Sequence, residues 1–198
     1  MADSEVICLA CGVFKRELES IRMKNGLDFK IRTIDSMLHI NPEKLREVLE
    51  KNVQHYPGEK ILLLYGDCQP RMHDIEQQTN VSRVAGINCC EILLGKERYR
   101  EYQRSNAFIF LPEWIHRWRE IFTQKLGFKK IGNARDFLKE YCRRFVFLDT
   151  GLTDVPRQRL DEIKNYFDLP IEILSIDLTT FENGIREALR KFSKGTIE

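Results

Sequence analysis

Apolar positions along the chain fall into short continuous runs separated by longer stretches of helical spacing. Val6-Ile7-Cys8-Leu9-Ala10 and Ile61-Leu62-Leu63-Leu64-Tyr65 are unbroken runs bounded by turn residues, the pattern of strands covered on both faces. Residues 29–34 alternate apolar and polar, as a strand with one exposed face does. Ala107-Phe108-Ile109-Phe110-Leu111, Phe145-Val146-Phe147-Leu148 and residues 171–178 continue the series. Between these runs the period changes. Phe14, Leu18 and Ile21 share one helical face that Asn25-Gly26 would close with a left-handed cap. Asn41 and Pro42 read as the cap and first position of a helix bearing Leu45, Val48, Leu49 and Val53. Ile92, Leu93, Tyr99 and Tyr102 recur at roughly helical spacing, and Pro112 opens an amphipathic helix with Trp114, Ile115, Trp118 and Phe122. Residues 126–131 read as a connection. Asn133, Asp154 and Thr180 then stand at the starts of three further helices.

This alternation predicts an α/β fold, a mainly parallel sheet of about six strands with helices on both faces. One domain over residues 1–198 is the simpler expectation. The alternative is a two-part organisation, 1–95 and 107–198, joined by a polar stretch.

Composition narrows the function classes. A chain of 198 residues can bury a core without disulfides or metal. Its 32 basic and 30 acidic residues leave a net charge of +2, which favours neither nucleic acid nor a membrane surface as partner. The start of the chain lacks the basic region and long apolar segment of a signal peptide, and no segment approaches the roughly 18 apolar residues of a membrane-spanning helix. The expected location is the cytoplasm. Thiols stay reduced there, so the six cysteines are expected as core residues, metal ligands or reactive thiols rather than as a disulfide framework.

Cys11, His39, Cys68 and Cys90 each fall in a loop or helix start that follows a strand. A parallel sheet carries those carboxyl ends along one edge, so ligands dispersed in sequence can converge there. The set suits zinc or an iron–sulfur cluster held by Cys11, Cys68 and Cys90. His39 either completes the coordination sphere or stands beside an open fourth position as a general base. The open site is expected, because a chain of this length needs no metal staple. Cys8 and Cys11 spell a CxxC, but residues three apart in a strand face opposite ways, which puts Cys8 in the core. The plainer alternative is that all the cysteines are small hydrophobes, that His39 is a polar loop residue, and that Trp114 and Trp118 are a packed helix face. No GxGxxG, P-loop or GxSxG motif supports a nucleotide or serine-hydrolase reading.

Ala10-Cys11-Gly12, Leu38-His39 with Pro42, the YGDC ending at Cys68, Arg83, the NCCEILLG segment, FIFLPEWI and LDTGL together resemble, in that order, the family of domains of unknown function numbered 1638. The resemblance implies an archaeal or bacterial cytoplasmic protein with three recurring cysteines and one histidine, here Cys11, Cys68, Cys90 and His39. The family pattern has Asp before its last cysteine where this chain has Cys89, which leaves the choice within the Cys89-Cys90 pair open. The resemblance further implies one-carbon metabolism in the company of corrinoid-dependent methyltransferases. The protein would then be either a metal-thiolate enzyme or accessory protein, or a non-enzymatic partner or corrinoid-binding adaptor using the Trp114/Trp118 helix as its contact surface.

Overall fold

The structure is a computed structural model that describes residues 5–125 and 131–194. The chain divides into two compact units, Met1–Gly95 with Leu178–Glu198, and Lys96–Asp177.

The first unit is built on four parallel strands, β1 (Val6–Cys11), β2 (Lys30–Ile34), β3 (Lys60–Leu64) and β4 (Val81–Arg83), in the order β2-β1-β3-β4. The two unbroken apolar runs take the two central places. Ile7, Cys8, Leu9 and Ala10 of β1 and Ile61, Leu62, Leu63 and Leu64 of β3 are all buried, whereas edge strand β2 exposes Lys30, Arg32 and Thr33. From β1 the chain steps outward to β2, then crosses back to β3 on the other side. The direction of winding therefore reverses between β1 and β3, the place where open α/β sheets leave a crevice at their carboxyl ends. Right-handed crossovers put α1 (Lys15–Asn25) and α2 (Pro42–Gln54) on opposite faces. Gly26 ends α1 in the left-handed region at φ 59°, and the Asn41 side chain caps α2 by accepting from the Lys44 N–H at 3.1 Å. A short α3 (Met72–Glu76) precedes β4, and α4 (Cys89–Leu94) follows it. The helix expected to run on through Gly95 is broken there, because Gly95 adopts φ +79°.

In the second unit α5 (Lys96–Arg104) leads to β5 (Ala107–Phe110), and α6 (Pro112–Arg119) runs into a wider π-helical turn over Glu120–Lys125. After it come α7 (Ile131–Tyr141), β6 (Arg144–Asp149), α8 (Arg157–Phe167) and β7 (Ile171–Ser175), and the three strands pair in parallel in the order β5-β6-β7. The connection expected over 126–131 lies, apart from Ile131, outside the described residues. Helix α8 starts after Pro156 rather than at Asp154, since the residue before a proline is disfavoured in helical conformation and Val155 stops backward extension. The core is aromatic. Phe110 and Phe145 meet at 5.1 Å between centroids, Phe145 and Phe167 at 5.4 Å, and Phe122 and Phe167 at 4.8 Å. Trp118 is 1% exposed and packs on Tyr166 at 4.9 Å, so it belongs to this core.

The chain then returns to the first unit as α9 (Thr179–Lys194), which packs on α4, β3 and β4. Phe181 stacks on Phe14 at 5.3 Å, and the buried Ser82 hydroxyl donates to the Ala188 carbonyl at 2.7 Å. The fold is α/β with parallel strands throughout, divided between two sheets. No helix among the described residues is long and apolar enough to cross a membrane.

Phe181 is fully buried, so Phe181→Ala is expected to cost about 3–5 kcal/mol. Hydrogen exchange should show protection lost first in β3, β4 and α4. Loss confined to strands β5, β6 and β7 would contradict the assignment of α9 to the first unit.

Candidate thiol centre

Strand register builds the centre. Ala10 pairs with Leu64, so Cys11 and Tyr65 stand side by side one step further along, at the carboxyl ends of β1 and β3. On its other side Cys11 pairs with Ile34 of β2, which brings Asp35 and the tight turn Ser36–Ile40 to the same edge. The chain after β3 then meets the loop before α4 with almost no space between the backbones. A Cβ added at Gly66 would lie 2.4 Å from both the Ile87 carbonyl oxygen and the Asn88 Cα. The Asp67 N–H donates to that same Ile87 carbonyl at 2.9 Å. Only glycine allows this approach. It lays Cys68, two residues past Gly66, against the start of α4, where Asn88 caps the helix by accepting from the Glu91 N–H at 3.0 Å.

Three thiols converge as a result. Cys89 lies within side-chain hydrogen-bond reach of both Cys11 and Cys68. A thiol carries one proton, so Cys89 can donate to one neighbour while accepting from the other. Hydrogen bonding from Cys89 is the largest influence on Cys68, and holds its thiol below the ordinary value against the opposing effect of burial. The Gly66 N–H and the Arg83 guanidinium act in the same direction. Cys89 itself is pushed well up, first by its bonds to Cys11 and Cys68 and then by burial. Cys68 is the half-exposed member, while Cys11 and Cys89 are buried.

The remaining cysteines have other surroundings. Cys90 is buried and its thiol is pushed up to about 12 by desolvation alone, as is that of Cys8. Burial also raises Cys142. Cys11 and Cys68 thus share Cys89 as a neighbour, while Cys90, the cysteine named from sequence, is equally buried and is influenced by burial alone. All six cysteines are free. His39 lies in the turn after β2, its Nδ1 in contact with the Ser36 carbonyl oxygen. With Nδ1 donating, the neutral ring carries its lone pair on Nε2.

Tyr65 was not anticipated as part of the site. It is 1% exposed, its hydroxyl has no hydrogen-bond partner, and it feels the charges of Cys11, Cys89, Cys68 and Asp35. Burial, followed by those charges, raises its pKa and keeps it protonated. In sequence it is simply the last residue of an apolar run, and only its phenolic oxygen hints at more. Among the described residues, no group of three or more His, Cys, Asp or Glu side chains is arranged to hold a metal ion as it stands.

Residues 33–185 match a family described as Protein of unknown function (DUF1638). The chain belongs to the DUF1638 family. No curated protein and no solved structure gives a significant match. The DUF1638 match includes His39, Tyr65, Cys68, Cys89 and Cys90, and Cys11 precedes it.

Iodoacetamide should modify Cys68 of the reduced, metal-free protein first, and at a lower pH than an ordinary thiol requires, with Cys8 and Cys90 last. Peptide mass mapping reads the order, and Cys90 reacting ahead of Cys68 would contradict the assignment. Gly66→Ala is expected to cost about 1–3 kcal/mol in urea unfolding, because backbone rather than a flexible side chain blocks the new Cβ.

Proposed function

We propose that the protein binds a soft metal ion through Cys11, Cys68 and Cys89 at the carboxyl edge of the first sheet. What supports this is the neighbourhood of three cysteines from distant parts of the chain, Cys89 interacting with both Cys11 and Cys68, near the reversal point between β1 and β3. Thiolates sharing one zinc ion lie roughly 4 Å apart, given Zn–S bonds near 2.3 Å, so the three side chains must draw together around the ion. Taking an ion requires the loss of thiol protons and the closure of the trio around it. A cubane iron–sulfur cluster spreads its cysteine sulfurs more widely, so contact at Cys89 favours a single ion, zinc first.

Three thiolates leave a fourth position for an exogenous ligand. Zinc there would hold a bound thiol as thiolate, the form that attacks an alkyl donor. The corrinoid-linked one-carbon chemistry implied by the family resemblance is a use for such a site, with His39 as the candidate base that takes the incoming proton. Free thiols in this number suit a reducing cytoplasm.

Metal analysis of anaerobically purified protein should find about one zinc per chain. Cys68→Ser and Cys89→Ser should lose it. Cys90→Ser should keep it while losing about 1–3 kcal/mol of stability through a buried unpaired hydroxyl. His39→Ala should also keep the ion. Metal lost with Cys90→Ser but retained with Cys89→Ser would reverse the choice within the pair, and brown protein absorbing near 400 nm would replace zinc by a cluster.

A further inference from the structure

We propose that the free edge of β2 takes on an extended peptide segment of alternating acidic and apolar residues, which joins the first sheet as an outer strand. The proposal is independent of the thiol centre.

Strand β2 lies at the end of the order β2-β1-β3-β4, and among the described residues it pairs with β1 alone. Its outer backbone N–H and C=O groups are therefore left to solvent, and Lys30, Arg32 and Thr33 are exposed. An open edge of this kind is a template for another strand. Two grooves border it. The first, about 530 Å³, lies between β2 and α1, and its lining includes Lys15, Glu19, Arg22 and Arg32. The second, about 610 Å³, lies between Arg32 and α2, and its lining includes Val48, Lys51, His55 and Tyr56. Because α1 and α2 cover opposite faces of the sheet, the grooves flank one edge from its two sides. Successive side chains of an added strand also point to opposite faces, so each groove receives every second residue.

Charge and polarity choose the occupant. Lys15, Arg22, Arg32 and Lys51 face Glu19 as the one acidic residue in the two linings, while Lys30 is answered by Glu5 at 2.6 Å. The whole chain carries a net charge of only +2, so this edge concentrates positive charge and favours carboxylates. The groove beside α2 has an apolar wall as well. His55 and Tyr56 meet edge to face at 4.8 Å near Val48, and the Tyr56 hydroxyl accepts from the Arg32 Nε at 3.1 Å. An aliphatic side chain suits that wall. A second copy of this chain does not suit the edge: antiparallel pairing about Ile31 would set Lys30 opposite Arg32, and like charges directly opposite are destabilising.

The test uses the full chain and a fluorescein-labelled octapeptide alternating glutamate and valine, followed by fluorescence anisotropy and amide hydrogen exchange. Three other probes stand beside it: an octapeptide alternating lysine and valine, the acidic peptide methylated at every backbone nitrogen, and an eight-nucleotide oligothymidylate. The acidic peptide is expected to bind and to slow exchange within residues 30–34. The basic peptide should bind at least roughly tenfold more weakly, and so should the methylated one, which keeps its charge but cannot donate to a strand. Lys15→Glu combined with Lys51→Glu, both exposed positions, should weaken the acidic peptide by about tenfold with the melting temperature unchanged. Equal binding of the methylated peptide would overturn the proposal by showing charge alone at work. Unaltered affinity in the double variant, or protection confined to residues outside 30–34, would overturn it too. So would an acidic peptide that does not bind, oligothymidylate binding more tightly than the peptide, or sedimentation of the free protein as a dimer with β2 already protected.

Discussion

The closeness of the Gly66 backbone to Ile87 and Asn88 is the constraint on which the thiol centre depends. The two loops belong to different strand ends, and nothing in parallel pairing alone forces them together. Register fixes Cys11 and Tyr65 as neighbours because Ala10 and Leu64 pair, but Cys68 and Cys89 lie outside the ladder. Their meeting requires a chain crossing with no room for a side chain, and the hydrogen bond from the Asp67 N–H to the Ile87 carbonyl holds it. Glycine in such a place lacks side-chain packing and costs backbone entropy, which makes sense where close backbone approach does something a larger residue would prevent. Helix α9 supports the arrangement from behind: it packs on α4, and the methyl group of its Thr180 would lie 3.1 Å from a Cβ at Gly95, the residue that ends α4.

The fold was largely legible because two of its strands are nearly pure apolar runs, and only the middle of a doubly covered parallel sheet tolerates those. The caps at Gly26 and Asn41 were equally legible, since a left-handed glycine and an Asn-Pro pair have local causes. What escaped was short or non-local. Strand β4 spans only Val81–Arg83, too few residues for any period to show, and α3 is a single turn and a half. The division into two sheets, with α9 returning to the first unit, is decided by contacts such as Phe14 with Phe181 that no window of sequence contains.

The site was legible in part for the same reason. Placing cysteines after strands requires only that the strands be found, and Cys11 and Cys68 follow from that. Choosing between Cys89 and Cys90 requires the rotation of α4 about its axis, since consecutive helical residues point about 100° apart. Both cysteines are buried, so burial does not choose between them; Cys89 is distinguished by its interaction with Cys11 and Cys68, whereas Cys90 feels desolvation alone. Tyr65 was hidden by its own apolar character: a tyrosine closing a run of leucines reads as packing until its hydroxyl is found without a partner.

Charge sets the protonation preferences of the three thiols. The Arg83 guanidinium lowers Cys68, but its Nη1 is 2.9 Å from Asp67 and its Nε is 3.0 Å from Glu76. With two carboxylates at hand, its positive charge is already answered, and little remains to offset thiolates. One thiolate at Cys68 is stabilised by the Cys89 hydrogen bond and the Gly66 N–H. A second, at the buried Cys89, would face both desolvation and like charge, which is why that thiol is raised so far. The first proton therefore leaves from Cys68, and Cys89 keeps its own.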